Sequence, residues 1–344
     1  MDLKTIAELA GVAPSTASMA LAGKSGIAAA TRDRVRAIAR QFGYSPDAAG
    51  RALATGRSQA IGFVSEHGQW ITSGAWTVSL LTGLCDELER HGYHVMLFHS
   101  EPDAQRMPPP ALRRAVDGMV VAVAWDAAFL EQIRGHGMPV VAAVPNVDVH
   151  CDRVCPDDSG GARLAVEHLL ELGHRRIGYV PTRFPQTAQS NRARWDGYVD
   201  VMSRAGLPAR PGSDRIRPEP EVVAELFAQQ TPTALLCCSD DTALAVIAEL
   251  TRRGLRVPDD VSVVGIDDAP YSAFLTPRLT TVRLPYPEIG AAAARLLLER
   301  IAMPNMPPRQ VVLPETLIVR DSTAPRRQRQ SVSSGADNHQ HAQE

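Results

Sequence analysis

Three stretches of this chain invite a catalytic or metal-binding reading: Asp157-Asp158-Ser159-Gly160-Gly161, the turn Gly23-Lys24-Ser25-Gly26, and the trio His150, Cys151 and Cys155. An acidic residue before Ser-Gly-Gly suits a serine-protease nucleophile only in a β-barrel, with a His/Asp pair to activate the serine. Here the stretch opens a helix after a strand, where Asp158 and Ser159 read as capping residues. A phosphate loop needs a glycine five residues before Gly23, and that position is Ser18. A zinc site needs a second Cys/His pair at matching spacing, and none accompanies the trio. No G-x-G-x-x-G follows a strand, so the dinucleotide fingerprint is absent too. The sequence therefore predicts no cofactor, no metal and no enzymatic activity.

The charge is uneven in a way that points elsewhere. The total is −2, yet residues 1–60 carry eight Lys/Arg against four acids, a net +4 that leaves −6 for the remainder. A basic head on an acidic body is the footprint of a modest DNA-binding module. With 344 residues, 44% apolar and 22% charged, the chain has the size and composition of two or three soluble units. No apolar run reaches the roughly 18 residues of a membrane span. Asp2, Lys4 and Glu8 interrupt any signal-peptide core. Five cysteines, two of them adjacent at Cys237 and Cys238, do not form a disulfide framework. A cytoplasmic protein is expected.

The elements that must position any chemistry fall into two textures. In the head, Leu3, Ile6, Ala7 and Ala10 share a helical face that Gly11 ends. A second short helix runs from Pro14 with Ala17, Ala20 and Leu21 inward, and a third from Ala29 to Phe42 with Val35, Ile38, Ala39 and Phe42 as its stripe. Two short helices joined by a tight Gly-containing turn predict a helix-turn-helix. Pro14, Ser15 and Met19 would then face the major groove, and Thr16 and Ser18 the phosphates. From Ile61 the texture changes to short apolar runs such as "AIGFV", "GMVVAVA", "PVVAAV", "IGYV", "TALLCC" and "VSVVGI", separated by helical stretches at Trp76–His91, Gly160–Leu172, Asn191–Ala205 and Asp241–Arg253. That alternation predicts an α/β architecture of doubly wound parallel sheets, in two lobes with a cleft between them. The tail after Ala324 is polar and reads as disordered.

The stretches "TIAELAGVAPSTASMAL", "TRDRVRAIARQFGYSPDAAGRAL", "RARWDGY", "TALLCCSDDTALAVIAELTRRGLRVPDDVSVVGIDD" and "LTPRLTTVRLPYPEIGAAAARLLLERI" occur in an order and spacing that resemble the lactose-repressor/galactose-repressor (LacI/GalR) family of transcription regulators. The likeness runs from Leu3 to Arg320. It implies a helix-turn-helix head at 1–45, a hinge helix and linker at 46–59, and a periplasmic-binding-protein-like core at 60–323. Lobe 1 of that core is expected at about 60–159 plus 290–318, and lobe 2 at about 160–287 plus 319–323. It implies a homodimer on a pseudo-palindromic operator, with Thr5 and Arg32 joining the DNA contacts and Leu53 wedged into the minor groove. Leu53 packed on its own domain is the alternative.

A sugar or similar polar metabolite is the effector this resemblance implies. It places Arg194 and Asp267 at effector-contacting positions, where an arginine fork and a carboxylate can each take two hydroxyls. Asp240 reads either as a cleft residue or as a helix N-cap. Ser190 is a candidate polar contact, and Trp76, Trp125 and Phe184 are aromatics that either stack on a sugar ring or pack. The chain departs from the family pattern in Ala13 for the usual capping serine, in Pro14 and Met19 on the reading helix, and in Val144 for an acidic residue. "SEPDAQRMPPPALRRAVDG" is also shorter than usual. A periplasmic sugar-binding protein would explain residues 61–320 equally well but would leave the basic head without purpose. A sugar sensor with only nonspecific DNA affinity is the remaining alternative.

Overall fold

The computed structural model describes residues 2–23, 25–44, 57–65, 75–99, 115–122, 127–135, 137–181, 188–209 and 219–326. Residues 46–56 of the expected hinge and linker, with Leu53, residues 100–114 of the shortened segment 100–118, Trp125, Phe184 and the tail from 327 lie outside them.

The head is three helices, α1 (Leu3–Ala10), α2 (Pro14–Leu21) and α3 (Ala29–Gln41). Asp2 caps α1 by accepting from the Thr5 amide at 2.9 Å and its hydroxyl at 2.8 Å. Gly11, left-handed at φ 63°, stops it. Ile6, Ala7, Ala10, Ala17, Ala20, Val35 and Ala39 form the core. Alanines at the contacts of α1 and α2 let the two helices approach closely. Phe42 does not join the stripe expected of α3: it is the C-cap residue, past the last helical turn, and is 44% exposed.

The core contains two sheets. The first has the order β10-β5-β4-β3-β1-β2, all parallel, from β1 (Ala60–Ser65), β2 (His94–His99), β3 (Gly118–Ala122), β4 (Val140–Ala143), β5 (Asp152–Pro156) and β10 (Gln310–Leu313). The second has the order β11-β9-β8-β7-β6, from β6 (Ile177–Val180), β7 (Ala234–Cys237), β8 (Ser262–Asp267), β9 (Thr280–Arg283) and β11 (Thr316–Ile318), with only β11 antiparallel. Helices α4 (Ala75–Arg90), α5 (Ala127–Gly135) and α10 (Tyr286–Ala302) cover the first sheet; α6 (Asp158–Glu171), α7 (Ala188–Arg204), α8 (Glu219–Gln229) and α9 (Asp240–Arg252) cover the second. Strands buried on both faces by helices need continuous apolar runs, as β3, β4 and β7 have.

The chain passes between sheets three times: at Asp157, at 284–285 and at 314–315. Residues 286–289 therefore belong to the first lobe, since α10 packs on that sheet. Residues 316–318, expected in the first lobe, pair with β9 in the second. The ordered core also runs past the expected end at 323. The Ala324 amide donates to Ser262 Oγ at 3.2 Å and the Arg326 amide to the Leu172 carbonyl at 2.9 Å.

Candidate functional sites

On the head, packing sorts the faces of α2. Ala17 and Ala20 are buried, which turns Pro14, Ser15, Ser18 and Met19 to solvent and leaves Thr16 half-buried. Ala13 occupies the cap position in extended geometry (φ −65°, ψ 149°) and offers no side-chain acceptor, so the first amides of α2 have no capping side chain. Pro14 at the first helical position removes one of those donors. Two further expected DNA contacts are engaged within the head: the Thr5 hydroxyl donates to Asp2, and Arg32 is half-buried with Nη2 on the Ile27 carbonyl at 3.1 Å.

The second site lies where the crossovers meet. Arg194, projecting from α7, is 8% exposed. Its Nε donates to Asp158 Oδ1 at 2.7 Å and its Nη1 to the Cys238 carbonyl at the end of β7. Asp158 opens α6 just after the first crossover, while Asp157 is the cap, accepting from the Gly160 amide at 2.9 Å. Asp267 ends β8 with φ 131°, a strained value for a residue with a Cβ, and Asp268 follows at φ 52°. From the second crossover, the Tyr286 hydroxyl donates to Asp267 Oδ1 at 3.4 Å. The Tyr286 ring lies 5.8 Å from that of Trp76, near the start of α4. The third crossover contributes Glu315, whose carboxyl group lies against Gly161 of α6, where a Cβ would have to displace it.

Burial and charge compete across this cluster. Burial works against the charge of Arg194, but Asp158, Asp267 and Glu315 more than offset it and hold the guanidinium protonated. Burial pushes Asp267 up to about 7, with Arg194 pulling the other way. Glu315 is driven well above the usual carboxylate range by burial and by the nearby Asp158, with Arg194 opposing.

Of the expected effector residues, the structure brings Arg194, Asp267 and Trp76 into this one neighbourhood. The Ser190 hydroxyl donates instead to Asn146 Oδ1, 3.3 Å away in the loop after β4, so that bond links the two lobes. Asp240 adjoins Asp267 through its backbone, but its carboxylate is buried and engaged away from the cleft. One carboxylate oxygen accepts from the Ala269 amide (2.8 Å) and Ser272 (2.6 Å), the other from Thr281 (2.5 Å), and Ser239 is the cap of α9. Asp240 is thus a buried anchor for the turn after β8. Tyr286, Glu315 and the pairing role of Asp158 escape a motif search. The signals were an aromatic opening a helix and an acid in the two-residue link between β10 and β11.

A family profile described as bacterial regulatory proteins, lacI family, matches residues 2–47, and one for a periplasmic binding protein-like domain matches 166–323. The chain is 30% identical over 312 residues to the HTH-type transcriptional repressor PurR of Actinobacillus pleuropneumoniae, covering 87% of this chain and 90% of that protein. Against the ribose operon repressor of Haemophilus influenzae it is 28% identical over 331 residues, covering 93% and 98%. Among solved structures, a complex of the transcriptional regulator CelR with cellobiose matches at TM-score 0.68 and 27% identity, covering 94% of this chain and 99% of that one. The lac repressor bound to ONPG in its repressed state matches at TM-score 0.74 and 25% identity, with the same coverage.

Proposed function

Because this chain belongs to the lacI family of bacterial regulatory proteins, we propose that it is a cytoplasmic homodimeric repressor whose hold on a pseudo-palindromic operator is set by a polyhydroxy metabolite bound between its lobes. Its relatives are regulators rather than enzymes, and no helix among the described residues is long and apolar enough to cross a membrane. The observation that carries the reading is the convergence of all three crossovers on Arg194. A molecule held by Arg194 and Asp267 touches the segments that set the angle between the lobes, so its binding has to alter that angle. Trp76 and Tyr286 offer the aromatic surface that covers the apolar side of a sugar ring, with Trp125 and Phe184 as further candidates. The bond between Ser190 and Asn146 is one that changes as the lobes move.

At the DNA end, α2 lies in the major groove. Pro14 and Met19 pack on thymine methyls, Ser15 reads a base edge, and Thr16 and Ser18 hold phosphates. Leu53 enters the minor groove at the operator centre. Effector and operator then shift each other's affinity reciprocally, by a coupling of about 1–3 kcal/mol.

The test is to incubate the full-length protein with fragmented genomic DNA near physiological salt and sequence what it retains. A shared palindrome is the expected result, and the genes beside it nominate effectors to titrate. Retention without a motif, vanishing as salt rises, would replace this reading by a sugar sensor with only nonspecific phosphate affinity.

A further inference from the structure

The charges around Arg194 do not balance. Three carboxyl groups, those of Asp158, Asp267 and Glu315, face one guanidinium. Two of its nitrogens already bond Asp158 and the Cys238 carbonyl. Asp158 alone neutralises its charge. The neighbouring cations are engaged elsewhere: Arg283 and Arg320 both bind Asp268, at 2.7 and 2.6 Å, and Arg163 donates to Ser159 at 3.0 Å.

Glu315 is the unexplained member. It is 7% exposed, and neither carboxyl oxygen has a hydrogen-bond partner among the described residues. Buried polar atoms without partners are rare in folded proteins and costly. Its carboxyl group also rests against Gly161, where a Cβ would have to displace it. Asp267, half-buried beside it, takes a backbone hydrogen bond from Asp240 and a long one, 3.4 Å, from the Tyr286 hydroxyl. The site thus holds more carboxyl groups than Arg194 can pair, and Glu315 and Asp267 gain by ionising only when a hydrogen-bond donor or a positive charge enters beside them, never when an anion does.

We propose that this cleft selects its effector by charge, taking neutral or amino-bearing polyhydroxy compounds and excluding their phosphorylated or carboxylated counterparts, with Glu315 as the residue that sets the sign. The inference rests on the effector reading above and narrows it. An entering phosphate meets Asp267 and Glu315, while Nε and Nη1 of Arg194 are already given to Asp158 and the Cys238 carbonyl, so no two-pronged grip on the anion is left. Hydroxyls or an ammonium group bring the missing donors, and an ammonium group gains further from the faces of Trp76 and Tyr286.

The experiment measures affinities of the full-length protein, by thermal shift and calorimetry, for matched sets: ribose with ribose 5-phosphate, and glucose with glucosamine and glucose 6-phosphate, with cellobiose as a larger neutral probe. The expected result is that every compound that binds is neutral or amino-bearing, and that it outbinds its phosphorylated partner by about tenfold or more. Glu315→Gln keeps the side-chain volume and should narrow that ratio several-fold, which a merely structural residue would not do. Asp267→Asn, read the same way, serves if the first variant melts too early to assay. A phosphorylated sugar that outbinds its neutral partner, or a ratio unchanged in both variants, overturns the charge selection while leaving the effector reading intact. No shift with any probe overturns both.

Discussion

Replacing Asp240 separates a structural anchor from a ligand contact. Its carboxylate accepts from the Ala269 amide, Ser272 and Thr281. Hydrogen bonds to a charged group contribute about 1.5–3 kcal/mol each. Burial takes part of that back, since it raises the Asp240 pKa despite the three donors. A net loss of about 3 kcal/mol is expected for Asp240→Ala, which strands a backbone N–H that cannot turn away. Asp240→Asn should lose only about 1–2 kcal/mol: its oxygen still serves Ala269 and Ser272, and the Thr281 hydroxyl can rotate to accept from the new amide. In a lobe of roughly 150 residues, 3 kcal/mol lowers the melting temperature by about 6–12 °C. Calorimetric scans of the two variants, followed by effector titration well below the transition, read both quantities. Gly265→Ala is an independent check, because a Cβ there would displace the Asp240 carboxylate. It should destabilise similarly and add little on top of Asp240→Ala. An Asp240→Ala protein that melts within about 2 °C of the parent, yet no longer responds to effector, would refute the anchoring role.

Ala13→Ser supplies the missing cap of α2 in geometry already extended, and should stabilise the head by about 1 kcal/mol and tighten operator binding in a gel-shift titration. Val144, left-handed at φ 52°, is strained for a β-branched residue. Val144→Gly should therefore cost less than about 1 kcal/mol in calorimetry, where Val141→Gly in the adjacent buried strand should cost several. Asp267 sits at about 7 in the fold against an ordinary 3.8, so the fold favours its protonated form. The stability this contributes is complete below about pH 4 and lost as pH rises through about 7. The melting temperature of the parent should accordingly fall across that window relative to Asp267→Asn; parallel curves would refute the shift.

What could be read from the sequence follows from how local each structural cause is. The head was legible because its packing is set by alanines and glycines within a few residues of each other. Phe42 was misplaced by a single cap position. Strands with continuous apolar runs, such as β1, β3, β4, β7 and β8, stood out. Strands β5, β9, β10 and β11 did not: they are short, β5 alternates in burial, and β10 and β11 lie at sheet edges. At the site, Arg194 and Asp267 lie in recognisable motifs. Glu315 and Tyr286 reach it only because the chain crosses between the sheets at points distant in sequence. Asp240 was misjudged because a position at a strand end does not say which way a carboxylate turns, and here three donors turn it inward.

The same crossovers explain how a small event at Asp267 becomes a large one. Helices α4 and α10 both begin at the site, near Trp76 and at Tyr286, and run the length of the first lobe. Where they cross, Gly83 lies against the Pro287 carbonyl and Gly290 against that of Leu80, with no space for a Cβ on either. Backbone meets backbone, and no layer of side chains remains that could repack to absorb a shift. At its far end α10 is held by Arg300, whose Nε and Nη2 bond the buried Asp152 at 2.7 and 3.0 Å. The chain entering from the head is held in turn by Asp117, which accepts from the Ser58 and Gln59 amides at 2.7 and 3.0 Å. On the effector reading proposed above, a ligand that draws Asp267 toward itself acts on Tyr286, where this closely packed helix pair starts. That reading has the first lobe turn as one body, carrying the root of the linker with it. Coupling to the operator then resides in the angle between lobes rather than in strain within either one.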